Sequence, residues 1–278
     1  MLDDFIKAAL KEDIQDGDHS SLACVDPNAV SKASLLIKAK GVLAGMEVAK
    51  RICEIYDSSL KFTPILKDGD KVTHGQIAFN IEGLARSILA VERLILNCMQ
   101  RMSGIATQTA YFVGLIKGTN CTLLDTRKTT PNMRFLEKYA VQIGGGANHR
   151  FGLYDMIMLK DNHLDYAGGV AQALLKTQQY IQQNDLNIKV EIEIRSLEEL
   201  DELLALPVTY NRIMFDNFSP NDLKLALSRI DKGIETEASG GINSETIYKY
   251  AQTGVQYISV GALTHSVAAL DMSLKANI

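Results

Sequence analysis

Five cations and two acids in the second half of this sequence stand beside short apolar runs. Arg127 and Lys128 follow TLLD, His149 and Arg150 precede DMIML, and Lys160 follows it. Arg forks and Lys point charges bind carboxylates and phosphates. Such a group in a chain of formal net charge -4 therefore points to a small polyanionic ligand. Glu193, in KVEIEI, and Asp216, after RIMF, are hard oxygen donors. They suit sugar hydroxyls, a developing positive charge, or a magnesium ion that also touches a phosphate. A sugar diphosphate carried with magnesium satisfies both sets. Ser239, Gly240 and Gly241 of ASGGIN, ahead of a helix expected from about Ser244, offer backbone N–H groups to a phosphate, and Gly261 after QYISV joins them. Gly144, Gly145 and Gly146 suit either a phosphate loop or a plain helix stop.

These residues need a scaffold that gathers them. Short apolar strands are expected at 122–125, 155–159, 189–194, 212–215, 233–236 and 256–260, with helical stretches between them such as 197–206 and 221–230. Ser219 and Pro220 supply a cap and a first-turn proline for the latter. The strands recur at intervals near the ~30 residues of a βαβ unit, which makes the second half a parallel β/α fold. Six units fall short of a closed eight-stranded barrel, leaving an incomplete barrel or an open doubly wound sheet. In either, loops at the C-terminal ends of the strands converge on one face, and the cations, acids and glycines above lie at those ends. The first half reads as α+β. A helical stripe covers 3–13, strands are expected at 34–40 and 76–82, a helix at 46–56, and Asp68-Gly69 marks a tight turn.

Composition narrows the function. The chain has 278 residues, 46% hydrophobic and 22% charged, as a folded globular protein does. The acidic balance argues against a nucleic-acid partner. No window holds the ~20 apolar residues of a membrane helix, since even 87–97 is broken by Glu92 and Arg93. The first residues carry acids where a secretory signal has a basic head, so a cytoplasmic protein is expected. Cys24, Cys53, Cys98 and Cys121 form no C-x-x-C pair and are expected to be reduced packing residues.

The run DTRKTTPNMRFLEKYAVQIGGGANHRFGLYDMIMLKDNH, from Asp125 to His163, resembles the signature stretch of the quinolinate phosphoribosyltransferases. EDIQDGDHS, AVERLILNCMQRMSGIAT, VEIEI, FDNF, EASGGIN and GVQYISVGALTHS extend the likeness over nearly the whole chain, in the same order. The resemblance implies an N-terminal α/β sandwich domain over residues 1–102, an incomplete β/α barrel over 103–265, and a C-terminal segment, 266–278, packing on the first domain. It implies transfer of phosphoribosyl from phosphoribosyl pyrophosphate to quinolinate with decarboxylation, using magnesium, in a homodimer or larger homo-oligomer with shared active sites. By the same likeness Lys128, Lys160, Glu193 and Asp216 are catalytic. Arg127, His149, Arg150, Ser239, Gly240, Gly241 and Gly261 bind substrate, and Arg93 reaches a partner's pocket. Glu193 and Asp216 are also the metal ligands. The family commonly has two serines before the glycine pair, and here the first is Ala238. Glu191 and Glu193 both remain candidates for the pocket-facing acid, with Glu193 favoured by its place near the strand end.

Three other readings compete. A related phosphoribosyltransferase-fold protein of molybdenum uptake operons is expected to lack the full RKTTP and NHR pattern. A Schiff-base aldolase, with Lys160 or Lys128 as its amine, is separable by borohydride trapping. A non-catalytic phosphosugar regulator has little use for Glu193 and Asp216 together with five cations.

Overall fold

The computed structural model describes residues 1–231 and 233–277. In chain order the elements are α1 (Leu2–Ile14), α2 (His19–Cys24), β1 (Val30–Ile37), β2 (Gly41–Val42), α3 (Met46–Tyr56), β3 (Lys61–Pro64), β4 (Lys71–Val72), β5 (Ile77–Leu84) and α4 (Ala85–Leu115). They continue with β6 (Thr122–Leu124), α5 (Arg134–Ile143), β7 (Met156–Leu159), α6 (Asp161–Ala167), α7 (Val170–Gln183), β8 (Lys189–Ile194), α8 (Leu197–Leu204) and β9 (Arg212–Asp216). The last are α9 (Pro220–Leu227), β10 (Glu235–Ser239), α10 (Ile247–Ala251), β11 (Tyr257–Ser259), α11 (Ala262–His265) and β12 (Met272–Ala276). No helix among the described residues is long and apolar enough to cross a membrane.

The chain forms two compact units. One comprises Met1–Ala110, Thr129–Gly145 and the chain from Leu263 onward. Its sheet has the order β12-β1-β5-β3, and every neighbouring pair is antiparallel. Alternation buries Ala33, Leu35 and Ile37 of β1. Ser34 is buried too, and its hydroxyl donates to Asn80 Oδ1 at 2.7 Å, which removes the cost of burying it. In α4, Val91, Ile95, Cys98, Met99 and Met102 are buried at helical spacing. Arg101 of the same helix donates to Glu137 Oε1 of α5 from Nε at 3.1 Å and Nη2 at 2.9 Å, while the Thr130 N–H donates to Oε2 at 3.2 Å. The Gly144 triplet stops α5: the helix ends at Ile143, and Gly145 takes φ +89°.

The other unit, Tyr111–Lys128 with Gly146–Ala262, holds six parallel strands in the order β6-β11-β10-β9-β8-β7. Strands β7 to β11 lie side by side in chain order, with β6 added beside β11. A doubly wound sheet reverses at a switch point, so this winding is that of a barrel left open between β6 and β7. Alongside β6, Leu124 bridges Ala147 in parallel, with the Ala147 N–H donating to Leu123 O at 2.8 Å.

All six strands expected in this half are present, with one displaced. The strand expected at 233–236 runs from Glu235 to Ser239, because Gly233 takes φ +134° and cannot extend the ladder. In the first half, β3 and the short β2–β4 pair escaped the periodicity, being only two to four residues long. The Ser219 cap is as expected: its hydroxyl accepts from the Asp222 N–H, with proline in the first turn. The cysteine reading holds for Cys53 and Cys98, buried with thiols pushed up to about 12 by burial. Cys24 is exposed, so it is not a core packing residue, and its thiol donates to Ser20 O at 3.1 Å.

The last strand has a measurable weight. Leu274 is buried and lies opposite fully buried Leu35 across the β1–β12 ladder. Leu274→Ala is expected to destabilise the protein by about 2–4 kcal/mol in urea titrations. A loss below about 1 kcal/mol would show that β12 contributes little to this sheet.

Candidate active site

The candidate residues of the barrel sit at strand ends or in the open seam. Lys160 follows β7, Glu193 lies near the end of β8, Asp216 ends β9, Ser239 ends β10, and Gly261 lies two residues past the end of β11. Arg127 and Lys128 lie just beyond β6, in a turn where the Lys128 N–H donates to Thr126 Oγ1 at 3.1 Å. His149 and Arg150 follow the Ala147 bridge and so enter beside β6, where the barrel is open. Arg93 lies on α4, in the other unit, and is exposed.

Lys160 and Glu193 meet, with Asp216 close by. Lys160 Nζ lies 3.5 Å from Glu193 Oε2, and the register pairs Ser239 with Asp216. Burial pushes the Glu193 carboxyl above the usual range, Lys160 pulls it back, and Asp216 pushes it up again. Two acids set close together at one mouth form a donor set that favours a cation. The cations show the opposite need. Burial, and then Arg127, lower the pKa of Arg150. The buried Nε of Arg127 makes no hydrogen bond to a described residue.

The turn after β10 is shaped by close approach. A Cβ at Gly240 would lie 2.7 Å from the backbone nitrogen of Asn217, and Gly240 and Gly241 have φ of +92° and +61°. Asn217 is itself at φ +58°, and its N–H donates to Ser239 O at 2.9 Å. The helix expected from Ser244 starts only at Ile247 and has five residues. The glycine pair therefore does not open a helix, and any phosphate contact there falls to the turn's own N–H groups. Ala238 is buried in register with Phe215 and Ile258. Strand alternation turns it away from the Ser239 face, so the missing hydroxyl removes nothing from this turn.

Glu191 and Glu193 share one face of β8, two residues apart, and their environments settle which lies near Lys160. Glu193 does; Glu191 is fully buried one layer deeper, with its Oε2 2.9 Å from His149 Nε2. Glu237 Oε2 lies 3.3 Å from the same nitrogen and 2.9 Å from Arg212 Nη1. Arg212 Nη2 reaches Glu235 at 2.7 Å, and Lys189 reaches Glu235 at 2.9 Å. His149 is only 7% exposed, so it is a buried group rather than an open pocket cation. Sequence reasoning missed Glu237 and Arg212. Their signal was charge on one strand face, Glu235 and Glu237 in ETEAS and Arg212 and Asp216 in RIMFD, beside apolar residues on the other face. His149, Glu191 and Glu237 also bring one ligand atom each to within 4.8 Å of one another, as a metal site could. Arg212 and the imidazole already neutralise these carboxylates.

Two effects compete at His149. Burial lowers its pKa, but hydrogen bonding and attraction from Glu191 and Glu237 raise it to about 9. The Arg150 N–H approaches Nδ1 at 2.6 Å, which suits the neutral ring. One hydrogen bond contributes about 1 kcal/mol net, whereas each nearby carboxylate attracts a charged ring by several kcal/mol even at an effective dielectric of ~20. The acids win. A folded-state value raised above the ordinary 6.5 means that the stabilisation is complete below pH 6.5 and lost as pH rises through 9. Melting temperatures of the protein and His149→Gln should therefore differ most near pH 6 and converge by pH 10. A constant gap across that range contradicts the charged ring.

Residues 18–103 match the quinolinate phosphoribosyl transferase N-terminal domain, and residues 105–275 match the C-terminal domain of the same family. The chain is 45% identical over 284 residues to quinolinate phosphoribosyltransferase [decarboxylating] 1b of Nicotiana tabacum, covering 97% of this chain and 81% of that one. It is 40% identical over 263 residues to the probable nicotinate-nucleotide pyrophosphorylase [carboxylating] of Bacillus subtilis, covering 95% and 89%. The crystal structure of NadC from Streptococcus pyogenes superposes with a TM-score of 0.92 at 41% identity, covering 99% of this chain and 95% of that one. With both domains matched in order, and an open barrel carrying cations and acids at its strand ends, the chain belongs to the quinolinate phosphoribosyltransferase family.

Proposed function

We propose that this protein transfers the phosphoribosyl group of phosphoribosyl pyrophosphate to quinolinate with decarboxylation, yielding nicotinate mononucleotide, pyrophosphate and carbon dioxide for NAD biosynthesis. The observation that carries the reading is the pairing of two half-buried guanidiniums, Arg127 and Arg150, at strand ends that also present Glu193 and Asp216. A planar dianion such as quinolinate satisfies forked donors that otherwise repel one another. A cytoplasmic location belongs to the same proposal, although relatives from tobacco and Arabidopsis carry mitochondrial and chloroplastic names.

Arg127, Arg150 and Lys160 bind the quinolinate carboxylates, with His149 supporting them from beneath. The pyridine nitrogen is thereby held for attack on the ribose carbon that bears pyrophosphate. As the carbon–oxygen bond to pyrophosphate breaks, positive charge develops on the ribose, and the carboxylates of Glu193 and Asp216 stabilise it. Lys128 and Lys160 oppose the charge of the departing phosphates. Ser239, Gly240, Gly241 and Gly261 hold the ribose phosphate. Magnesium, when bound with pyrophosphate, supplies further positive charge to the leaving group, and Glu193 and Asp216 are the oxygen donors for it. Once the ring nitrogen carries the ribosyl group, the cationic ring accepts the electron pair left as the adjacent carboxylate departs as carbon dioxide. A proton then takes that carboxylate's place on the carbon.

The direct test is formation of nicotinate mononucleotide from quinolinate and phosphoribosyl pyrophosphate with magnesium. Nicotinate, lacking one carboxylate, is expected to be a poor acceptor because a buried cation is left unpaired; comparable efficiency with both rejects this site. Lys160→Ala is expected to cut turnover by about 10²-fold or more, with little change in stability, since its partly exposed pair with Glu193 contributes only about 0–1 kcal/mol. Unchanged turnover removes Lys160 from the mechanism.

The proposal includes a homodimer in which Arg93 completes a partner's site. Arg93→Ala and Lys160→Ala proteins are then each nearly inactive, while mixing equal amounts restores roughly a quarter of all sites after subunits reassort at random. No recovery, with subunit exchange confirmed by native mass spectrometry, shows that Arg93 does not act across subunits.

A further inference from the structure

The layer beneath Glu193, Asp216 and Ser239 is polar, and the proposed chemistry leaves two of its members, Glu237 and Arg212, without a task. Strand alternation places Glu191 two residues before Glu193, Glu237 two before Ser239 and Arg212 four before Asp216, on the same faces. Glu237 is fully buried, and Arg212 is 7% exposed. Carboxylates taken out of water cost several kcal/mol each, and well-packed apolar residues would fill such a space at lower cost. The layer therefore contributes something other than net stability.

What stands on it is the His149-Arg150 pair. Residues 148–155 belong to no helix or strand, so no ladder holds this segment. Side chains hold it instead. Asp125 Oδ1 accepts the His149 N–H at 2.8 Å, and Asp155 accepts the N–H groups of Phe151 and Gly152 at 2.6 and 2.9 Å. The imidazole packs one edge against the Arg150 N–H, 2.6 Å from Nδ1, and turns the other toward Glu191 and Glu237. Arg150 is then aimed by donation from Nη1 to Met156 O at 3.0 Å. Rotation of the ring would take Nε2 away from both acids and displace the His149-Arg150 peptide packed against its other edge.

We propose that Glu237, clamped by Arg212, is a positioning residue that acts through His149, fixing the ring and with it the direction from which Arg150 meets the acceptor's carboxylates. The same Glu237 oxygen lies 2.9 Å from Arg212 and 3.3 Å from His149, so the clamp and the ring are tied to one atom. This inference rests on the acceptor being quinolinate, and its test has one arm that does not.

The experiment compares Glu237→Gln, His149→Gln and the double variant. Glu237→Gln keeps the volume but leaves one amide oxygen to serve two donors. Acting through His149, it should raise the quinolinate KM about tenfold while the phosphoribosyl pyrophosphate KM changes less than about threefold. In the His149→Gln background it should add less than about threefold, because residues in one network couple. Multiplicative losses in the double variant, or equal rises in both KM values, overturn the proposal. In the second arm, histidine-selective 15N spectra of the substrate-free protein should show the His149 ring signals shifted or broadened by Glu237→Gln, and unchanged signals overturn it. If the unsubstituted protein makes no nicotinate mononucleotide, the reaction reading fails while the spectra still decide the positioning role. Should Glu237→Gln not fold, Glu237→Asp, which keeps the charge but withdraws it from the ring, is judged by the same criteria.

Discussion

Charge balance inside the barrel is the constraint on which the rest of this unit depends. Strands β8, β9 and β10 turn Lys189, Glu191, Glu193, Arg212, Asp216, Glu235 and Glu237 to their inward faces, where an ordinary barrel places branched apolar residues. Of these, Glu191, Arg212 and Glu237 are buried deeply enough that none is tolerable alone. Lys189 and Arg212 meet Glu235, Arg212 meets Glu237, and His149 meets Glu191 and Glu237 at 2.7 to 3.3 Å. Removing one member of such a set leaves an uncompensated buried charge, at a cost of about 3–5 kcal/mol.

The balance changes toward the C-terminal ends of the strands. Deep in the barrel the carboxylates have cationic partners from the chain itself. At the mouth, Glu193 has Lys160 at 3.5 Å but also Asp216 close by, and Arg150 is disfavoured by Arg127. Excess negative charge on one side and excess positive charge on the other suit a reaction in which a ribosyl cation develops next to anionic acceptor and leaving groups. In the layer below, each buried acid already has a cationic partner from the chain, and so that layer provides a base for the one above.

The opening of the barrel matters as much as its strands. Because β6 and β7 do not pair, Ala147 can bridge Leu124, and the chain behind it delivers His149 and Arg150 into the seam. A closed barrel would have occupied that edge with ladder hydrogen bonds. The price of the opening is a segment without regular structure, held by Asp125, Asp155 and the buried acids rather than by its own backbone.

Much of this was legible in the residues themselves. Short apolar runs marked all six barrel strands because a buried parallel strand leaves a hydrophobic signal whatever its neighbours. Ser219-Pro220 marked a helix start because capping is local chemistry. Most of the candidate cations and acids of this half could be found because they lie at or beside the ends of such runs. The tertiary structure alone decided which acid meets which base. Glu191 and Glu193 are alike in type and on the same face, so that only nearness to the strand end favoured Glu193 as sequence, yet one neutralises a buried histidine and the other meets Lys160. Glu237 and Arg212 carried no assignment in the sequence, and only the pairing of β9 with β10 brought them together. Ionic partners lie 23 to 88 residues apart in the chain, from Arg212 and Glu235 to His149 and Glu237. Their energy depends on ångström-scale distance and on burial, and neither is set until the strands are in place.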